Sequence, residues 1–132
     1  MPRQLKAAMI LISFSVIFSG KTLSSGTAVR IFELNSRVHV LKNGPWAETM
    51  TVLDAGAELV VVDTFSSHLK ASEAMRYIRK TFHKPVTHVI NTHHHWDHTF
   101  GNQVFDEAKI IAHVHCAEDM KTEYADSERF IE

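Results

Sequence analysis

The chain has 132 residues, enough for one domain, with 45% hydrophobic and 22% charged residues; that balance excludes a disordered or low-complexity protein. Lys and Arg number 14 against 15 Asp and Glu, a formal net charge of -1, which argues against an electrostatic nucleic-acid binder. Cys116 is the single cysteine, so no internal disulfide can form.

Residues 1–28 read as a secretory signal peptide. Arg3 and Lys6 precede an uncharged apolar run from Ala7 to Phe18, and small residues follow it, the three-part layout of an export signal. The run is shorter than the roughly 20 residues a membrane-spanning helix needs. Cleavage is expected between about Ser25 and Val29, leaving residues 29–132 as the folded part, exported and without a stable membrane anchor.

Strands joined by short turns come next. Arg37 to Lys42 alternates through Val38 and Val40, and Asn43-Gly44-Pro45 is a turn signal. Thr49 to Leu53 predicts the next strand and Asp54-Ala55-Gly56-Ala57 the next turn. Glu58 to Asp63, ELVVVD, is an unbroken apolar run, as in a strand covered on both faces. The period then changes. Ser66 or Ser67 can cap a helix to about Phe82, with Ala71, Ala74, Met75, Ile78 and Phe82 on one face. Lys84-Pro85 ends it. Val86 to Asn91 predicts a strand, and Lys109 to Ala112 another. A helix is expected from Ala117 to about Tyr124. The fold class is therefore α/β (α+β): a strand meander followed by β-α-β-α-β, with a parallel crossover.

Histidine is the unusual residue. There are 10, and eight lie between His83 and His115. His93, His95, Asp97 and His98 form H-x-H-x-D-H directly after a predicted strand. Imidazole nitrogen and carboxylate oxygen suit zinc and similar ions. In an extended segment residues 93, 95 and 97 point the same way, whereas Asp97 and His98 diverge. That spacing suits two adjacent metals, one held by His93 and His95, the other by Asp97 and His98. His94 faces away from these, and Trp96 reads as a packing residue. His39, His68, His83 and His88 read as structural or solvated, and Cys116 as a buried small residue. The charges after Ala117 read as a solvated helix face.

The segment THHHWDHTFGN resembles the H-x-H-x-D-H signature of the metallo-β-lactamase superfamily, and the similarity extends over about residues 31–120. The strand meander, ELVVVDT, the helix from Ser67 and the strand VTHVIN fit the N-terminal half of that family's αββα sandwich. The resemblance implies that His93 and His95 bind a first metal, that Asp97 and His98 bind a second, and that Asp63 buttresses the metal loop. It also implies zinc, two ions per complete site, with iron or manganese as alternatives. Asp97 would additionally orient a metal-bound hydroxide that attacks an ester, thioester, lactam or similar bond of a small-molecule substrate. Having His98 at the sixth position resembles the glyoxalase II-like and related β-lactamase branches. Phe100 departs from the common D-H-x-G-G continuation, of which only Gly101 is present.

The family's further ligands lie downstream of the positions matched here. His113 and His115 follow KIIA and match a strand end, not a later ligand. Each metal would then find two motif ligands, where catalytic zinc sites usually have three. The apolar strand ELVVVD would keep one face uncovered and favour self-association. Two rival readings accompany the hydrolase: a non-catalytic chain that binds metal weakly, and an iron-dependent oxygenase on the same scaffold.

Overall fold

The computed structural model describes residues 21–22, 29–44 and 48–128. They form one mixed sheet in the order β1 to β7, which is also the chain order. The strands are β1 Lys21–Thr22, β2 Arg30–Asn35, β3 Val38–Asn43, β4 Glu48–Asp54, β5 Leu59–Val62, β6 Val86–Ile90 and β7 Lys109–Ile111. Helices α1 His68–Phe82, α2 Trp96–Thr99 and α3 Val114–Glu128 interleave with the later strands, and a 3-10 turn covers Asn102–Phe105. The expected signal segment lies outside the described residues, except that Lys21 and Thr22 pair with Ile31 and Arg30.

Strands β1 to β5 are antiparallel neighbours, the expected meander. Strand β2 carried no sequence expectation. Of its six residues only Ile31 is buried, so it shows little alternation. The two turns behave as their sequences demand. Gly44 and Gly56 both take positive φ, and the Gly56 N–H donates to Asp54 Oδ1 at 2.9 Å.

The crossover from β5 through α1 to β6 makes β5 and β6 parallel, and β7 adds to β6 in the same sense. Ser67 is the N-cap of α1, its side chain accepting from Lys70 N at 3.4 Å. The helix ends at His83, whose left-handed φ of 52° turns the chain before Pro85. The buried face of α1 is Ala71, Ala74 and Ile78, with Met75 and Phe82 partly buried beside them.

That face packs on one side of the sheet. Leu41, Met50, Val52, Leu59, Val61 and Val89 join it in a single core with Phe65 and Phe105. Each fully buried Leu or Val contributes about 1.5–3 kcal/mol relative to exposure. Tyr77 of α1 reaches into the same layer, its hydroxyl 2.8 Å from the Nδ1 of buried His39. Glu48, also buried, binds the first turn of α1: Lys70 Nζ donates to Oε1 at 2.7 Å and Ser66 Oγ donates at 3.0 Å.

The other sheet face differs from the expectation for ELVVVD. Leu59 and Val61 are fully buried, but Val60 and Val62 are half-buried. Val38, Val40, Thr51, Leu53 and Ile90 share that half-buried state. The unbroken apolar run thus marks a strand with one sealed face and one partly open face. Strand β7 is more open still, with Ile110 and Ile111 both exposed.

Helix α3 starts earlier than expected. His113 precedes it and accepts from His115 N at 3.3 Å, so His115 lies in a helix and not at a strand end. Cys116 is buried as anticipated. Burial raises its thiol pKa, helped by the nearby Asp119 and Asp63 carboxylates.

Candidate metal centre

The motif follows β6 at the carboxyl end of the parallel strands, where open α/β sheets place ligands. Backbone bonds fix the ends of β5, β6 and β7 against one another: Asp63 N donates to Ile90 O and Asn91 N donates to Ile111 O, both at 2.9 Å. Beyond His95 the short helix α2 begins at Trp96. Strand β6 itself ends at Ile90 and the chain bends through residues 92–94, so strand alternation does not reach the motif, and the helical turn carries Asp97 and His98 back toward His93.

The outcome is a three-donor group. One ligand atom from each of His93, Asp97 and His98 lies within 4.8 Å of the others. The His93 and His98 rings are 4.0 Å apart between centroids. His95, expected to share an ion with His93, is outside this group. It is exposed, with its ring 4.7 Å from that of His93. His94 turns away toward α3, where its Nδ1 lies 3.5 Å from Asp119 Oδ2.

Asp63 is the base of the loop. It is 5% exposed and sits at a left-handed φ of 59°, a conformation that Asp tolerates better than most side chains at a cost of about 1–2 kcal/mol. Its carboxylate accepts from Thr92 N, Thr92 Oγ1 and His98 Nδ1, each at 2.8 Å. A carboxylate only accepts, so His98 carries its proton on Nδ1. Its Nε2 then faces Asp97 Oδ2 across 3.5 Å. Two acceptors pointing into one gap repel each other unless a cation or a proton stands between them. This is the local observation that fits a divalent ion, and the nitrogen and oxygen donors suit zinc, iron or manganese.

A buried polar network holds the α2 turn from below. Asn91 and Asn102 bond side chain to side chain in both directions: Asn91 Nδ2 donates to Asn102 Oδ1 at 3.1 Å, and Asn102 Nδ2 returns to Asn91 Oδ1 at 2.9 Å. The His98 carbonyl accepts from Thr64 N at 2.8 Å and from Thr64 Oγ1 at 3.1 Å. Thr99 is fully buried, and its hydroxyl donates to the His94 and His95 carbonyls. Thr64, Asn91, Thr99 and Asn102 were not singled out by sequence. For Asn91, Thr99 and Asn102, which lie in or beside THHHWDHTFGN, proximity to the motif was the available signal; Thr64 had none.

Phe100 resolves its own departure from the family pattern. It has ordinary right-handed helical angles, φ -66° and ψ -15°, so nothing there requires glycine. Gly101 is different. A Cβ at that position would stand 1.9 Å from the Thr64 carbonyl oxygen and 2.6 Å from the Ala71 Cβ. Space, not φ, keeps this residue a glycine. Trp96 corrects the packing expectation: it is 50% exposed, its ring 6.4 Å from that of Phe100.

Electrostatics favours neutral imidazole at the key position. Burial lowers the His93 pKa below its ordinary value, and the neighbouring His98 and His95 rings add to the effect over the opposing Asp63 and Asp97. A neutral ring keeps a lone pair free for a metal. His113 and His115 lie elsewhere, their rings 5.0 Å apart. His115 Nδ1 faces Glu118 Oε2 at 3.2 Å, and neither histidine joins the three-donor group.

The comparisons agree with this geometry. The family model of the metallo-beta-lactamase superfamily matches residues 43–129, and the chain belongs to that superfamily. No curated protein matches the chain. Among solved structures, a double mutant of the sec-alkyl sulfatase PisA1 is similar with a TM-score of 0.60 and 23% identity, over 70% of this chain and 16% of that one. The stereoselective inverting sec-alkylsulfatase Pisa1 from Pseudomonas sp. is similar at TM-score 0.53 and 22% identity, over 63% of this chain and 14% of that one. At these identities the likeness is one of fold. The chain spans about a sixth of the length of the solved structures it matches. The superfamily is metal-dependent and the two neighbours are hydrolases.

Proposed function

We propose that the protein is a metal-dependent hydrolase whose ion is held by His93, Asp97 and His98, with His95 at its edge. The observation that carries this reading is the convergence of these donors above a buried carboxylate. Three protein donors with a further position left for water is the usual pattern of a catalytic zinc site. When bound, such an ion supplies a Lewis acid and a water nucleophile at neutral pH. Asp97 would hold the ion and orient that water. His93 and His98 contribute ring nitrogens, and Asp63 holds His98 in the tautomer that presents Nε2.

The preferred metal is zinc, with iron or manganese as the alternatives that metal analysis separates. The substrate is a small molecule with an ester-like bond. The sulfatase neighbours put an alkyl sulfate ester first, ahead of carboxylic esters, thioesters and lactams. The half-exposed Trp96, next to Asp97, offers an apolar surface for an alkyl group. Export is part of the same proposal and rests on the composition of residues 1–28. So is self-association through the half-buried face that includes Val60 and Val62.

Turnover of an alkyl sulfate, a phenyl ester, a thioester and a β-lactam by the zinc-loaded protein tests the reading. Sulfate-ester hydrolysis that a chelator and Asp97→Ala both abolish is expected. Hydrolysis indifferent to chelator and to Asp97→Ala would contradict it.

A further inference from the structure

The protonation pattern of the loop reaches one residue beyond His98. The Thr92 hydroxyl has a single hydrogen, and it donates that hydrogen to Asp63 Oδ2 at 2.8 Å. The same oxygen lies 3.0 Å from Nδ1 of His93. With its hydrogen spent on Asp63, the Thr92 oxygen can only accept from His93. The His93 proton therefore belongs on Nδ1, and Nε2 is left bare. His98 reaches the same state by donating directly to the same carboxylate oxygen at 2.8 Å.

We infer that Thr92 is a positioning residue: it relays the Asp63 carboxylate to His93, so that one buried acid fixes both histidines as Nδ1-protonated rings with Nε2 free. This rests on the reading of His93 and His98 as metal ligands only for its purpose; the proton placement itself follows from the hydrogen bonds. The free imidazole ring prefers its proton on Nε2, so the loop must impose the opposite tautomer. A ligand histidine held by an outer carboxylate needs no rearrangement before it takes a metal. Thr92 also donates its backbone N–H to Asp63 Oδ1 at 2.8 Å, so removing the hydroxyl leaves the loop anchored. His95 and His94 have no such tie to Asp63 among the described residues.

The test compares Thr92→Val, which keeps the shape and loses the hydroxyl, with Thr92→Ser, which keeps the hydroxyl. Side-chain ¹⁵N spectra of the metal-free full chain at a fixed, mildly alkaline pH report each histidine's tautomer, and zinc titration reports affinity. In the parent chain His93 and His98 are expected with protons on Nδ1. Thr92→Val should return His93, and not His98, to the Nε2-protonated form. Its zinc affinity should fall about tenfold or more, within the 10–100-fold range for such outer contacts, and Thr92→Ser should restore both. A His93 tautomer unchanged by Thr92→Val overturns the relay, as does Thr92→Ser behaving like Thr92→Val. If the parent shows the expected tautomers but binds no zinc, the relay stands and the metal-centre reading falls. If zinc binding needs His93 and His98 but ignores Thr92→Val, the metal centre stands and the relay falls.

Discussion

Two H-x-H segments occur in this chain, and they share a spacing without sharing a setting. His93 and His95 follow β6, a central strand whose Val89 is fully buried. His113 and His115 follow β7, whose three residues are all exposed. Behind the first segment stands buried Asp63, accepting from Thr92 and His98. Behind the second, His115 Nδ1 faces exposed Glu118, while His113 accepts from the first turn of a helix. A capping Nδ1 must be an acceptor, so His113 carries its proton on Nε2. It is thus held in the tautomer opposite to His98. Spacing brings histidines together; a buried acceptor underneath decides which nitrogen they present.

Several substitutions sharpen this contrast, and the largest effect belongs to Gly101→Ala. The new methyl would overlap the Thr64 carbonyl, and neither backbone segment can yield without dislodging His98. Destabilisation of about 3 kcal/mol or more is expected, read as a lower denaturation midpoint; an unchanged midpoint would show that the loop has slack. Asp63→Ala comes next. It frees the protons of Thr92 and His98 together and should cost zinc affinity about 100-fold. His113→Ala and His115→Ala should leave zinc affinity within about twofold, and an equal loss would erase the distinction between the segments.

Within the first segment the effects should also be unequal. Asp97→Ala removes a converging carboxylate and should abolish most zinc binding. His94→Ala removes a ring that faces Asp119 on α3 and should cost far less. Parallel zinc titrations check the pair, and equal losses would mean the donors are misassigned.

The smallest effect is a pH dependence. Burial holds the His93 pKa below its ordinary value. The unfolded chain therefore takes up this proton first as pH falls. The associated stability is complete above the unfolded value of about 6.5 and is lost as pH drops from there through the lower folded value. The metal-free parent should lose more stability between pH 8 and pH 5 than His93→Gln does. The same loss in both would assign the dependence to other groups.

Sequence periodicity was sufficient for most of the frame. Alternation through Val38 and Val40, the turns at Asn43-Gly44 and Asp54 to Gly56, and the apolar face Ala71, Ala74 and Ile78 each appear where expected. Strand β2 was not legible because its side chains are mostly exposed and its pattern follows no face. The four motif donors were legible as residue types in a tight spacing. Their grouping was not, because alternation presumes an extended chain, whereas β6 ends at Ile90, the chain bends through residues 92–94 and α2 begins at Trp96. The supports were harder still. Thr64, Thr92, Asn91 and Asn102 are ordinary polar residues in sequence, and only tertiary contact shows that they hold His98 and Asp63.

The most direct measurement of the central claim is the location of a bound ion in crystals of the protein grown with zinc, by anomalous scattering at the zinc edge. An ion seated between His93, Asp97 and His98, with nitrogens at about 2.0–2.1 Å, is predicted, each histidine coordinating through Nε2. An ion held instead by His113 and His115, or His93 and His98 coordinating through Nδ1, would contradict the account.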